Sequence, residues 1–370
     1  MKKCLYIVIA VVVLLASCSQ DKINTTEYSL STSRCIDSTY NFYKNGRIIY
    51  DSVSSIAKYT DFESMKTVPL CSRPNCNHKN NECVAKLLGE TPIVYNDKVY
   101  YLTYEDGVKE NKYGKREYYV NSKLNCVSME TSEIKNIVEF HDCTPQLYGG
   151  YYLDGNNLYF VATDMGVEAD EYGNIIYSNV GGKQFLCSIN LQNGQYNNYG
   201  NMYEGDIQYE EAKHSRCAFI VGGRDSKINI FYSYIQEPRT PYKEFSTKDL
   251  IMLDIDFDIK TQEFSEGSLL SPSFSNEECF VGYDNKQSVM SVEYKEKKIV
   301  FEADDRDEVS VVNGKLFNAN KGIWIDLDSN EEHPMGKYNG YIAITLWNDY
   351  YILAKGTSTV KITEEELMKL

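Results

Sequence analysis

The stretch Tyr152-Leu153-Asp154-Gly155-Asn156-Asn157-Leu158-Tyr159-Phe160 contains the pattern that decides the fold. Two apolar and aromatic runs flank a turn of Asp, Gly and Asn, residues that tolerate the positive φ of a tight hairpin turn. A looser copy of this arrangement spans 219–232, around Gly222-Gly223. Further copies are 42–50, 94–101, 311–317 and 346–351. The series predicts β-hairpins along the whole chain.

A second recurring unit, an alternating run that ends in a polar turn, follows the hairpins. Its central apolar residues are Phe62, Met129, Leu191, Ile255, Tyr294, Leu327 and Ile362. Seven units of about 50 residues, with no helical pattern between the strands, are typical of propeller blades of four short strands. The sequence therefore predicts an all-β fold, a single β-propeller of seven blades, with six or eight as the neighbouring possibilities. A pair of β-sandwiches or an irregular β-solenoid is the alternative.

Composition agrees with this fold class and excludes several functions. The chain has 370 residues, including 32 tyrosines, and 42% of its residues are hydrophobic, which favours β-structure and argues against disorder. Its formal charge is −15, so it is a poor binder of nucleic-acid phosphate and we expect no nucleic-acid partner. The sequence has too few long apolar runs for a multi-span membrane protein.

The N-terminal segment is organised like an export signal. Met1-Lys2-Lys3 is positively charged, and the apolar run Leu5–Leu15 is too short to span a bilayer as a stable helix. The run ends in Leu15-Ala16-Ser17-Cys18, which resembles the lipobox of bacterial lipoproteins. In that family the cysteine is acylated and the peptide before it is removed. The alternatives are a generic signal peptide with an incidental cysteine and an uncleaved anchor.

The lipobox resemblance implies a division of the chain and a location. Residues 1–17 are then a lipoprotein signal peptide, Cys18 is the lipidated N-terminus, 18–34 are a polar tether and 35–370 are the propeller. We expect an exported protein that is held at a membrane by its acyl chains, on the extracytoplasmic face.

Three polar insertions lengthen consecutive units, at roughly 103–123, 163–183 and 233–249. Because they occupy equivalent places, we expect them to project from one face and one side of the ring and to bind a peptide, glycan or protein. Tyrosine supplies apolar contact area and a hydroxyl at low entropic cost. The candidate binding residues are Tyr104, Tyr113, Tyr118, Tyr119, Tyr172, Tyr177, Tyr234 and Tyr242. The alternative is that the insertions are long hairpin extensions without a ligand.

Three cysteines cluster with a histidine between the first two units. Cys71, Cys76, His78 and Cys83 have the spacing C-x4-C-x-H-x4-C, and three thiolates with one imidazole suit tetrahedral Zn²⁺. Two structural staples stay open, a zinc site and a disulfide with one spare cysteine, because an exported location permits disulfides. A redox or catalytic thiol and an incidental cluster are further alternatives.

The block from Pro69 to Ala85, together with the lipobox and the hairpin repeats, resembles β-propeller lipoproteins of gut-type anaerobic bacteria. These are distantly similar to TolB-like propellers. The resemblance implies an exported, membrane-tethered propeller, and it supplies no catalytic residues.

Sequence signatures of common enzymes are missing from the chain, among them H-E-x-x-H, G-x-S-x-G, Walker A and G-x-G-x-x-G. We therefore assign no catalytic residue. Two functions stay open: a binding or scaffold protein at the cell surface, and an extracellular carbohydrate- or peptide-processing enzyme with acidic residues in the central funnel. An enzyme should gather carboxylates or a nucleophile–base pair at the propeller axis, whereas a scaffold should have apolar side chains there.

Overall fold

A computed structural model gives the fold of the chain. It describes residues 33–36, 41–71, 73, 75–79, 83–88, 92–110, 116–129, 131, 133–141, 143–147, 150–164, 167–168, 184–202, 216–224, 226–235, 250–267, 271–275, 279–284, 289–302 and 308–370. Cys18, the predicted signal peptide and the predicted tether up to residue 32 lie outside these ranges. Within them, no helix has the length and apolar character needed to cross a membrane.

Seven antiparallel sheets form the blades of a single β-propeller, which confirms the predicted fold class and blade number. Blades 1 and 2 contain β2 (Phe42–Tyr43), β3 (Gly46–Asp51), β4 (Ile56–Asp61), β5 (Thr67–Pro69), β6 (Ile93–Tyr95), β7 (Lys98–Glu110), β8 (Arg116–Ser128) and β9 (Ile134–His141). Blades 3 and 4 contain β10 (Cys143–Pro145), β11 (Tyr151–Asp154), β12 (Asn157–Asp164), β14 (Gln184–Asn190), β15 (Tyr196–Asn201), β16 (Arg216–Arg224), β17 (Lys227–Ile235), β18 (Leu250–Asp258) and β19 (Glu263–Glu266).

The remaining blades follow the same order. Blades 5 to 7 contain β20 (Ser271–Ser275), β21 (Cys279–Asp284), β22 (Val289–Tyr294), β23 (Lys297–Glu302), β24 (Val309–Val312), β25 (Lys315–Asn318), β26 (Ile323–Asp326), β27 (Glu331–Pro334), β28 (Ile342–Trp347), β29 (Tyr350–Lys355) and β30 (Ser358–Thr363). The four main strands of blade 3 are β11, β12, β14 and β15, and β10 pairs with β12 beside them. Two strands lie outside the blade series, β1 (Ser33–Ile36) and β13 (Val167–Glu168). The short helices are α1 (Val84–Leu87), a 3₁₀ turn (Gly336–Tyr338) and α2 (Glu364–Leu367).

The predicted hairpins are the first two strands of blades 1, 2, 3, 6 and 7. Their turns contain residues at positive φ, among them Lys44, Asn96, Asp97, Gly155, Asn313, Gly314, Asn348 and Asp349. The seven centres of the second unit fall in or directly after the third strand of each blade, from Phe62 in blade 1 to Ile362 in blade 7. Local alternation and turn chemistry therefore locate most of the blade strands.

The predicted turn at Gly222-Gly223 is wrong. Both glycines lie inside β16, next to a β-bulge, and the chain turns between Arg224 and Lys227. A Cβ atom on Gly223 would lie 2.2 Å from the ring of Tyr152. Glycine is present here because the neighbouring blade packs an aromatic ring against the backbone. In the sequence, a glycine pair selected for this contact looks the same as a glycine pair in a turn.

The hydrophobic core lies between the blades. One cluster joins Ile48 of blade 1 to Val99 of blade 2, and another joins Phe140 of blade 2 to Phe160 of blade 3. Similar clusters join blades 3 and 4, 5 and 6, and 6 and 7. Blades 2, 3 and 6 therefore bury both of their faces against their neighbours, which is how a propeller covers its sheets.

In the part of the chain that the structure describes, side chains close the ring between blades 7 and 1. The Arg47 side chain of β3 is fully buried; its Nε donates to Thr359 Oγ1 at 3.0 Å. Its Nη2 donates to the carbonyl oxygens of Gly356 and Ser358, each at 3.0 Å. A charged donor with three hydrogen bonds in a buried interface contributes more than a neutral one would.

Two further contacts support the closure. Lys361 Nζ of β30 donates to the carbonyl oxygens of Phe62 at 3.2 Å and Glu63 at 2.7 Å. The ring of Phe62 meets the ring of Trp347 edge to face, with centroids 6.3 Å apart. Blades 1 and 7 therefore pack side by side, one of the two ways in which a propeller ring can close.

The N-terminal strand β1 does not complete the three-stranded blade 7. It pairs with β11, the inner strand of blade 3, from Ser33 opposite Asp154 to Ile36 opposite Tyr151. The Tyr151 hydroxyl also donates to Asn41 Oδ1 at 3.2 Å, which links the inner strands of blades 1 and 3. Blades 1 and 3 are not neighbours, so β1 and this hydrogen bond lie in the central channel.

The closure predicts a specific loss of stability. The Arg47→Met substitution removes the donors to the carbonyl oxygens of Gly356 and Ser358, and we expect the free energy of unfolding in urea to fall by about 2–5 kcal/mol. Lys123→Met, in an exposed ion pair with Glu139, is the control and should change it by less than about 1 kcal/mol. Equal effects of the two substitutions would contradict the role of Arg47.

Candidate functional site

One face of the propeller collects the insertions. In each blade the strands alternate in direction, so the connections between strands 2 and 3, and those from strand 4 to the next blade, lie on the same face. The three insertions join strands 2 and 3 of blades 2, 3 and 4. We call this side the insertion face and the opposite side, which has the turns between strands 1 and 2 and between 3 and 4, the turn face.

The first two insertions contact each other. Strands β7 and β8 are 13 residues long and pair along their whole length, from Lys98–Ser128 to Glu110–Arg116. Strand β13, in the second insertion, pairs with β8 at Tyr118 and Glu117. The first insertion is therefore a long β-hairpin, as one alternative predicted, and it forms a continuous sheet with part of the second.

The predicted limits of the first insertion are too wide. Ser122 is buried and its hydroxyl donates to the carbonyl oxygen of Cys143 at 3.2 Å, so this part of β8 belongs to the blade. Strand β9 pairs with β8 only from Asn121 onward. The segment that projects beyond the blade is 106–120.

The candidate tyrosines are placed only in part. The Tyr104 side chain is 52% exposed on β7, at the base of the projecting hairpin. For three of them the structure describes the backbone, in β8 and β17: Tyr118, Tyr119 and Tyr234. Four lie outside the described residues: Tyr113, Tyr172, Tyr177 and Tyr242. Their role in binding stays a prediction.

The described inner strands do not gather carboxylates at the axis. The first strands of blades 3 to 7 contact one another in order along the chain. Their residues are mostly apolar or aromatic, such as Ile93 of β6, Val311 of β24 and Ala343 of β28, all buried. Across the strands that the structure describes there, β1, β2, β6, β11, β16, β20, β24 and β28, the one acidic residue is Asp154.

Other acidic groups have structural roles or lie far from the axis. In the run Glu364-Glu365-Glu366, the carboxylate of Glu366 accepts from the backbone of Thr363 at 2.8 Å and forms the capping box of α2. On β18, in the third strand of blade 4, partial burial raises the pKa of Asp254 to about 6, with a smaller contribution from the charge of Asp256. Neither arrangement resembles a catalytic pair.

The cysteine block forms a compact cluster on the connection between blades 1 and 2, and therefore on the insertion face. One potential ligand atom from each of Cys71, Cys76, His78 and Cys83 lies within 4.8 Å of all the others. The Nδ1 atom of His78 lies 3.4 Å from Cys83 Sγ. Such a cluster could bind a metal such as zinc, and it is the one group of this kind in the described part of the chain.

Local backbone geometry brings these side chains together. Asn75 and His78 both have positive φ, 57° and 55°, a left-handed backbone conformation that is common in turns. Cys83 is fully buried and is the N-cap residue of α1, whose Val84 packs in the core between blades 1 and 2. Cys71 and Cys76 pack against the same core and are partly exposed.

The thiols of the cluster differ in acidity. A hydrogen bond from the backbone N–H of His78 is the main reason why the pKa of Cys76 is lowered. Burial is the main reason why the pKa of Cys83 is raised. The two environments differ because Cys76 lies in the open part of the loop and Cys83 lies against the blades.

The other cysteines whose side chains are described belong to the blades. Cys126, Cys187 and Cys279 are buried strand residues, and buried cysteine commonly packs as a small hydrophobic group. The sulfur of Cys187 also lies 3.0 Å from the hydroxyl oxygen of Tyr196. Cys71, Cys76 and Cys83 are not joined to one another by a disulfide bond.

Fold and site together define a seven-bladed β-propeller with a Cys₃His cluster. No protein-family profile and no curated protein matches the chain. Among solved structures, a prolyl endopeptidase is similar over 83% of this chain and 39% of its own, with 11% identity and a TM-score of 0.34. An oligogalacturonate lyase in complex with manganese is similar over 88% of this chain and 77% of its own, with 11% identity and a TM-score of 0.32.

A third similar structure is the extracellular domain of the one component system BT4673 from B. thetaiotaomicron. It is 11% identical, over 88% of this chain and 71% of its own, with a TM-score of 0.23. The region similar to this chain is 39% of the length of the prolyl endopeptidase, which is less than half. Similarities this distant carry no argument about activity.

Sequence patterns miss β13 and the clustering of insertions that it creates. Val167 and Glu168 are a two-residue strand in a polar segment, too short for any alternation to show. The signal that exists is the equivalent position of the insertions in consecutive units, which predicts a common face but not a contact.

The projecting hairpin should be dispensable for folding. Glu105 and Asn121 are opposite each other in the hairpin. Replacement of residues 106–120 by Asn-Gly connects them through a two-residue turn. Because β9 and the interblade core stay intact, we expect the thermal midpoint to change by less than about 3 °C. Loss of cooperative unfolding, followed by circular dichroism, would show instead that the hairpin belongs to the core.

Proposed function

We propose that this protein is an exported, lipid-anchored β-propeller that binds a peptide, glycan or protein partner at the cell surface through its insertion face. The observation that supports this most is the grouping of the three insertions in consecutive blades, with β13 of one paired to the hairpin of another. Extended, grouped insertions on one side of a rigid ring are a common way to build a binding surface.

The axis supports binding over catalysis. Apolar inner strands, together with β1 paired to β11, leave the described part of the channel without a cluster of acid and base groups. A glycoside-cleaving site needs two carboxylates a few ångströms apart, and a hydrolase of another kind needs a nucleophile with a base. The Cys₃His cluster has a structural role in this proposal.

The path of the N-terminal strand supports an orientation for the anchored protein. Ser33, at the start of β1, is opposite Asp154, which lies beside the turn between strands 1 and 2 of blade 3. The chain therefore enters the propeller from the turn face and runs toward the insertion face. If the acyl chains are on Cys18, the tether joins the propeller on the turn face, and the insertion face points away from the membrane.

The anchor has a direct test with a matched control. In cells that express the full chain, Cys18→Ser should abolish incorporation of an alkyne-labelled palmitate and move the protein from the membrane to the soluble fraction, because the acylated thiol is lost. Cys4→Ser, in the same predicted signal peptide, should leave both unchanged. Retained acylation in the Cys18→Ser variant would contradict the lipobox assignment.

The binding role is tested with arrays of defined oligosaccharides and defined peptides. We expect the wild-type chain to bind a discrete set of probes and the 106–120→Asn-Gly variant to lose at least about tenfold in affinity for them, since about 1.4 kcal/mol corresponds to tenfold. Mass spectrometry of the probes checks for cleavage. Unchanged binding by the variant would move the site off the insertion face, and cleavage of a bound probe would favour the enzyme.

A further inference from the structure

We propose that Cys71, Cys76, His78 and Cys83 bind one zinc ion in a closed structural site that fixes the connection between blades 1 and 2. The inference stands apart from the proposed binding role, since it concerns the metal and not a partner of the insertions.

The spacing of the ligand atoms fits a tetrahedral ion. With Zn–S and Zn–N bonds of ordinary length, two sulfurs lie about 3.8 Å apart and a sulfur and a nitrogen about 3.5 Å apart. The four atoms here lie within 4.8 Å of one another, and His78 Nδ1 lies 3.4 Å from Cys83 Sγ. The side chains therefore need only small rotations to surround one ion.

The donor set selects the metal and excludes a catalytic role for it. Thiolates and imidazole favour Zn²⁺ over Ca²⁺, Mg²⁺ and Mn²⁺, which prefer oxygen. Four protein ligands complete the tetrahedron, so no position is left for a substrate or a reactive water. This argues for a structural zinc ion.

A disulfide would join only two of the four groups in the cluster. Three sulfur atoms converge on one point, so any pair leaves the third thiol and the imidazole of His78 beside the bond without a common partner. Cys83 is the least exposed of the three, at 0%. A zinc ion would bind all four groups, so no thiol of the cluster would be left over.

The ion would join the two ends of a connection that has little regular structure. Cys71 directly follows Leu70, which is buried against blade 1, and Cys83 directly precedes α1, whose end packs through Leu88. The described part of the connection has one regular element, the four-residue helix α1. Metal binding in such a segment supplies folding free energy that its small apolar contacts cannot.

Metal content decides between these possibilities. The full chain, purified in detergent without chelator, should contain one zinc ion per chain by elemental mass spectrometry. Cys76→Ser and His78→Ala should lower the content about tenfold, because one of four ligands is lost. Cys143→Ser, which changes a partly exposed thiol outside the cluster, should keep one ion.

Two further measurements keep the test decisive if a variant fails to fold. His78→Cys should retain zinc, because a fourth thiolate replaces the imidazole. Exchange of the wild-type protein into Co²⁺ should give the intense visible spectrum of a tetrahedral cobalt–thiolate centre. Zinc below about a tenth of an equivalent in the wild-type chain, or peptide mapping that finds Cys71, Cys76 or Cys83 in a disulfide, would overturn the proposal.

Discussion

The buried Arg47 guanidinium is the interaction on which the architecture depends. A propeller must join its last blade to its first, and within the described residues blade 7 has three strands while the strand β1 pairs with blade 3. Instead, Arg47 donates to Thr359 Oγ1 and to two carbonyl oxygens of blade 7, while Lys361 donates back to blade 1. Charged donors on backbone carbonyls replace the hydrogen bonds that a shared strand would have made. The desolvation cost of burying Arg47 is offset because several of its donors are engaged.

Because side chains make this closure, strand β1 is not needed in blade 7 and pairs elsewhere. Strand β1 pairs with β11 and, with the Tyr151–Asn41 hydrogen bond, lies in the channel. Its direction brings the preceding chain to the turn face. The insertions and the Cys₃His cluster lie on the other face, because both are in connections at the opposite end of the strands. Strand order and direction thus place the start of β1 on one face and the insertions on the other.

The sequence predicts the parts of this structure that depend on neighbouring residues. Alternation and turn chemistry locate the hairpins around Asn96-Asp97 and Asn313-Gly314, because positive φ is a local requirement. The spacing around His78 predicts the clustering of three cysteines and one histidine, because the whole cluster lies within one short segment. Pairing of β1 with β11 and the contacts of Arg47 join residues far apart in the chain, and no local pattern encodes them. The predicted turn at Gly222-Gly223 is wrong, because the ring of Tyr152, in another blade, leaves no room for a side chain at Gly223.

In the proposed orientation, the chain enters from the turn face and the insertion face points away from the membrane. The most direct test is fluorescence quenching by a lipid-borne quencher in proteoliposomes of the acylated full chain. Single click-reactive residues would replace Val53, 95% exposed in a connection on the insertion face, and Glu296, exposed in a turn on the turn face. We expect stronger quenching at position 296, because Glu296 lies on the turn face, the face at which β1 begins. Equal quenching at both positions, or stronger quenching at position 53, would contradict it.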